Sequence, residues 1–237
     1  MTLARIRAEI HTWGTVIFID ASSGKISELQ IQSAIDDVRD FLYEVDQVFS
    51  TYKENSQVSR LRRGEIAITD CTLDLQEVWA HCAYAKEVTD GSFDPWCVDG
   101  GFDPSGYVKG WASDRAIAML KAAGVEHIQI NSAGDLSLAG GVEPGKPWSI
   151  GIRHPEEAHT IVKVFDITDG AIATSGTYER GAHIKDPHTG LIAIGARSAT
   201  VYGPDGGIAD ALATALIVAG KDGAYLFQKP ELAGYHC

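Results

Sequence analysis

Gly207-Ile-Ala-Asp210-Ala-Leu-Ala-Thr214-Ala-Leu-Ile-Val218 is rich in Ala and Leu, lacks proline and is followed by Gly220. It therefore reads as a buried helix over about 207–218 with a glycine stop. Upstream, Ile31, Ile35, Val38, Leu42, Val45 and Phe49 are spaced 4, 3, 4, 3, 4, which predicts a second long helix with one apolar face turned to a core. A further helix is predicted through Leu75, Val78, Trp79 and Cys82, and another from about Lys109 to Ala123, ended by Gly124. Ile6 to Asp20 alternates as one or two strands broken near Trp13-Gly14. Short strands are expected at His127–Asn131, Trp148–Arg153, Thr160–Ile167 and Arg197–Val201, several of them separated by glycine turns. Strand runs with helices inserted irregularly predict an α+β fold rather than a regular βαβ array.

The chemistry-bearing residues sit on and around these helices. Asp210 and Thr214 are one turn apart on the same helical face. A carboxylate and a hydroxyl there are hard oxygen donors suited to Mg²⁺, and Mn²⁺ accepts the same donors. A carboxylate on a buried helix also needs a compensating partner. The competing reading is local: Asp210 caps the helix start and Thr214 bonds back to a carbonyl. In Asp103-Pro-Ser-Gly106-Tyr-Val-Lys109-Gly110-Trp-Ala, the glycines permit close backbone approach, and Lys109 at a predicted helix start suits an anion. A glycine turn with a surface lysine explains the same residues, and no GxxxxGK[ST] loop is present. Ala173-Thr-Ser-Gly-Thr-Tyr-Glu-Arg180 and His183-Ile-Lys-Asp-Pro-His-Thr-Gly190 follow, with His183 a possible general base.

The chain of 237 residues is 45% hydrophobic and carries a net charge of −12. That size supports one large domain or two intimately packed lobes. The acidic surface argues against non-specific binding to nucleic acid or an anionic membrane. The first residues show no signal-peptide pattern and no spanning run, and Cys71, Cys82, Cys97 and Cys237 form no CxxC. Reduced thiols and a cytoplasmic location are the expectation.

Taken in order, these segments resemble the ApbE family of flavin transferases (FAD:protein FMN transferases). The matching pieces are Trp13-Gly14-Thr15, Phe49 to Tyr52 with Ser56 to Leu61, Gly91-Ser-Phe-Asp94, Asp103 to Asp114, Asn131-Ser-Ala-Gly-Asp135, Trp148 to Pro155, Ala173 to Arg180, His183 to Gly190 and Ala209 to Leu216. The resemblance implies mixed or antiparallel sheets with packed helices and an FAD site in a cleft between lobes. It implies a single flavin transferase domain over 1–237. The implied activity is Mg²⁺-dependent transfer of FMN from FAD, through a phosphoester bond, onto a Thr or Ser hydroxyl of a target protein, releasing AMP. Two alternatives remain open: an FAD pyrophosphatase giving FMN and AMP, and a non-catalytic flavin-binding protein.

The resemblance also implies roles for single residues. Mg²⁺ ligands fall on the Gly106 carbonyl, Asp210 and Thr214, with the Ala213 carbonyl an extra contact. FAD contacts fall on Trp13, Tyr52, Ser92, Phe93, Asp94, Asp103, Lys109 and Ile184. His183 and Lys109 are the implied catalytic residues. The chain departs from the family pattern at Trp13, where methionine is usual, and in Asp103-Pro-Ser-Gly. It also departs in the short step from Asp94 to Asp103, where typical members carry an intervening segment.

Overall fold

The computed structural model describes residues 3–157, 159–177 and 184–237. The chain opens with a hairpin of β1 (Ala4–Thr12) and β2 (Thr15–Ser23). Trp13 (φ 55°) and Gly14 (φ 69°) form its two-residue turn, and positive φ at both positions gives the twist that antiparallel strands need. The left-handed conformation is costly for tryptophan. Here the indole Nε1 donates to the Leu42 carbonyl at 3.3 Å and ties the turn to the next helix.

That helix, α1 (Glu28–Phe49), starts at Ser27, whose side chain and that of Gln30 cap each other's backbone amides. It buries Ile31, Ala34, Ile35, Val38, Leu42, Val45 and Phe49, which include every position picked out by the 4-3-4-3-4 spacing. The short helix α2 (Gln57–Arg62) and α3 (Leu73–Val88) follow, then α4 (Ser105–Ala122). Strands β3 (His127–Ser132), β4 (Asp135–Ala139), β5 (Trp148–Arg153), β6 (Ile161–Ile167), β7 (Gly170–Gly176) and β8 (Ser198–Gly203) precede α5 (Gly206–Ala219). Gly220 ends α5 at φ 60°.

Six strands form one sheet in the order β1-β2-β3-β4-β7-β8, with every neighbouring pair antiparallel. Helices α1, α4 and α5 pack against it: α1 against β1, α4 against β3 and β4, α5 against β7 and β8. The antiparallel pair β5–β6 makes a second, two-stranded sheet. Trp148 and Ile167 from this pair cluster with Leu138 and Ile172 of the main sheet. No helix among the described residues is long and apolar enough to cross a membrane.

Three local differences from the sequence reading have clear physical causes. Helix α4 begins at Ser105 rather than near Lys109, but Gly106 leaves helical geometry (φ −86°, ψ 18°), so the regular helix starts just after it. Strand β4 reads Asp-Leu-Ser-Leu-Ala: Leu138 faces the small sheet, while Asp135 and Ser137 bond side chains of α4 and are therefore polar although buried. Strand β7 reads Gly-Ala-Ile-Ala-Thr-Ser-Gly, with small residues where α5 packs on it. Neither strand has the β-branched alternation that makes a strand visible in sequence.

Helices α4 and α5 cross at glycines. A Cβ on Gly110 would lie 2.1 Å from the Gly206 carbonyl group and 2.5 Å from Gly207 N. A Cβ on Gly207 would lie 2.6 Å from the buried Tyr107 ring. The crossing brings the first turns of α4 against α5, and these two helices carry Gly106, Lys109, Asp210 and Thr214 of the candidate site.

Candidate functional site

The first turn of α5 is held by two carboxylates. Asp205 is the N-cap and accepts from Ile208 N at 2.7 Å. Asp114 on α4 accepts from Gly206 N at 2.6 Å through Oδ2 and from Ser137 Oγ at 2.6 Å through Oδ1. Capping is thus assigned to Asp205, and the local reading of Asp210 as a cap fails. Asp210 lies inside the helix and is 4% exposed. The Thr214 hydroxyl meets Ser175 Oγ of β7 at 3.1 Å.

Asp210 is held next to Lys109 of α4, with Nζ to Oδ2 at 3.4 Å. The same ammonium contacts Asp135 Oδ2 at the start of β4, and Asp135 Oδ1 accepts from Thr174 N of β7 at 3.0 Å. Lys109 is therefore no loose surface lysine: its ammonium contacts two buried carboxylates. Gly106 lies across from Thr214. A Cβ there would sit 3.5 Å from Thr214 Oγ1 and 3.2 Å from the Phe93 ring, so a side chain at this position would fill the space between them.

Of the residues singled out from the sequence, Ser92, Phe93, Asp94, Gly106, Ile184, Asp210 and Thr214 line one cavity. Trp13 and Tyr52 line a second, and Asp103 and Lys109 border both. Phe93 is almost wholly buried, whereas Tyr52 is 98% exposed. Ala213 is fully buried in α5 and is not among the cavity-lining residues. His183 lies outside the described residues. Asp94 pairs with Lys86 at 2.6 Å and accepts from Trp96 N at 2.9 Å. Asp103 accepts from Ser105 N at 3.0 Å, which shapes the entry to α4.

Asp135, Ser175 and Asp114 carried no assigned role in the sequence. All three lie in the quoted runs, yet only the fold turns Asp135 and Ser175 toward α4 and α5 and sets Asp114 against the start of α5. Among the described residues no cluster of three or more His, Cys, Asp or Glu side chains is placed to hold a metal. The candidate donors differ in kind: one carboxylate, one hydroxyl and one backbone carbonyl.

Electrostatics favour a cation in the first cavity. Its described charged residues are Asp94, Asp103, Asp135 and Asp210 against Lys109 and Lys185, an excess of two negative charges. A diphosphate entering this cavity would be repelled unless a cation came with it. The hard oxygen donors beside the Gly106 cradle suit Mg²⁺ or Mn²⁺ for that role.

Burial pushes the Asp114 carboxyl up to about 6 from its ordinary 3.8, against the opposing hydrogen bonds from Ser137 and Gly206 and with a further push from Asp205. Its folded pKa is raised, so its contribution to stability is full below about pH 4 and is lost as pH rises through about 6. A shift of that size corresponds to about 3 kcal/mol. Asp114→Asn keeps an acceptor for Gly206 N and cannot ionise. Its thermal or urea unfolding, compared with wild type from pH 4 to 8, should lack that pH slope; an unchanged slope would show that Asp114 is not the titrating group.

The fold and site together define an α+β protein with two helices crossing over an antiparallel sheet and, beside the crossing, a cavity whose described charged side chains are four carboxylates and two lysines. The sequence model of the ApbE family matches residues 12–99 and 98–235, and the chain belongs to that family. The two matched segments meet at residues 98–99, between Asp94 and Asp103. The FAD:protein FMN transferase of Rhodobacter capsulatus is 37% identical over 128 residues, covering 51% of this chain and 24% of that protein. The FAD:protein FMN transferase of Vibrio cholerae serotype O1 is 35% identical over 130 residues, covering 51% of this chain and 39% of that protein. The chain thus spans less than half the length of these two relatives. The crystal structure of the ApbE protein from Thermotoga maritima superimposes with a TM-score of 0.84 over 98% of this chain and 93% of that one at 24% identity, a likeness of fold.

Proposed function

We propose that this chain transfers FMN from FAD onto a Thr or Ser hydroxyl of a target protein and releases AMP, with Mg²⁺ bound at Asp210, Thr214 and the Gly106 carbonyl. The observation that carries the metal assignment is the negatively charged cavity in which a carboxylate, a hydroxyl and a glycine cradle from two crossing helices converge. The names of the aligned relatives support the reaction. When bound, the divalent ion supplies charge neutralisation at the FAD diphosphate.

The chain's own residues would divide the remaining work. The acceptor hydroxyl oxygen forms a bond to the FMN phosphorus as the bridging P–O bond breaks, and AMP leaves with that oxygen. Lys109 offers positive charge to the diphosphate from the border of both cavities. Tyr52 and Trp13 offer flat apolar surface to a ring in the second cavity, and Ser92, Phe93, Asp94, Asp103 and Ile184 line or border the first. The hydroxyl proton passes to a base, for which His183 is the candidate on family resemblance.

The test is to incubate the protein with FAD and Mg²⁺, with and without a co-encoded candidate target, and to follow AMP and protein-bound flavin fluorescence. Transfer predicts AMP release and covalent flavin only when target is present. AMP without target indicates FAD hydrolysis, and FAD left intact under both conditions refutes an enzymatic role.

A further inference from the structure

We propose that Asp135 is a positioning residue that draws the Lys109 ammonium away from Asp210 and so keeps the Asp210 carboxylate available to a divalent cation. This rests on the metal reading of Asp210 given above. Lys109 faces two buried carboxylates, Asp210 at 4% and Asp135 at 7% exposure. The closer contact is to Asp135. Asp135 is itself fixed: it opens β4 opposite Ser132 of β3, and its Oδ1 accepts from the Thr174 amide of β7 at 3.0 Å, leaving Oδ2 for the ammonium. The backbone of the sheet thus anchors one end of the Asp135–Lys109–Asp210 row, and the other end is the oxygen offered to the metal.

An ammonium and a divalent cation compete for the same carboxylate oxygen, and each weakens the other's hold. With Asp135 present, Lys109 keeps a carboxylate when Asp210 turns to a metal. Without it, Lys109 leans more on Asp210, and metal binding must strip that contact. Asp135 therefore acts through Lys109.

The test is a Mn²⁺ titration of the full chain, with free Mn²⁺ followed by electron paramagnetic resonance, on wild type and on the variants Asp135→Asn, Lys109→Met, the double variant and Asp210→Ala. Wild type should bind Mn²⁺ saturably and Asp210→Ala should lose it. If wild type does not bind, or Asp210→Ala binds undiminished, both the metal reading and this proposal fall. Given that control, Asp135→Asn should weaken binding about tenfold or more, Lys109→Met should tighten it, and adding Asp135→Asn to Lys109→Met should change it less than twofold. A tenfold loss on adding Asp135→Asn to Lys109→Met would mean that Asp135 is itself a ligand or acts by its charge alone, and would overturn the proposal while leaving the metal reading intact. If Asp135→Asn alone does not fold, the double variant, which removes both charges together, still decides the matter against Lys109→Met.

Discussion

Asp210→Ala is expected to lower Mg²⁺-dependent FMN transfer by about a thousandfold or more and to leave the protein folded. A divalent ion at a phosphoryl centre is worth several kcal/mol of charge stabilisation, and about 4 kcal/mol corresponds to a thousandfold in rate. The fold should survive because Asp210 is not the helix cap: Asp205 and Asp114 hold the first amides of α5. Lys109 would also keep its contact with Asp135, so no buried ammonium is stranded. Thermal melting should move little, since loss of a buried carboxylate also removes its desolvation cost. AMP release and flavin incorporation over a Mg²⁺ series are the measurements. Activity within tenfold of wild type at every Mg²⁺ concentration would refute the assignment.

The second large effect lies outside the cavity. Gly110→Ala places a methyl 2.1 Å from the Gly206 carbonyl group, a backbone contact that no rotamer change relieves. The helices α4 and α5 must then separate. Overpacking of this kind costs about 3 kcal/mol or more, which for a chain of this size lowers Tm by roughly 6–12 °C. Activity should fall further than stability does. Separation moves Lys109 and Gly106 on α4 away from Asp210 and Thr214 on α5, and a misplacement of about 1 Å can cost a hundredfold in rate. Melting curves, and transfer assays at a temperature where the variant is still folded, separate the two effects. A variant with wild-type Tm and rate would show that the crossing tolerates a gap and does not set the site geometry.

Much of the fold was legible in the sequence because its signals are local. The α1 spacing named the buried face of that helix, the break at Trp13-Gly14 marked the hairpin turn, and Gly220 marked the end of α5. Strands β4 and β7 were not legible. Their inner positions are Asp135, Ser137, Ala171, Ala173 and Ser175, small or polar because helices press on them or bond to them. The start of α4 was misread because a glycine outside helical geometry sits in its first turn.

For the site, the sequence by itself determined which donor types are present and that Asp210 and Thr214 share a helical face, since a spacing of four residues is a property of the helix alone. It left capping and metal binding both open for Asp210, because both need only a carboxylate near a helix start. The tertiary structure removed the capping reading by giving the cap to Asp205, and it buries Asp210 beside Lys109, Asp135 and the Gly106 cradle. Those partners lie many tens of residues away from Asp210 along the chain. Only the crossing of α4 over α5 at Gly110 and Gly206, and the register that turns Asp135 toward the helices, puts their charges close enough to interact.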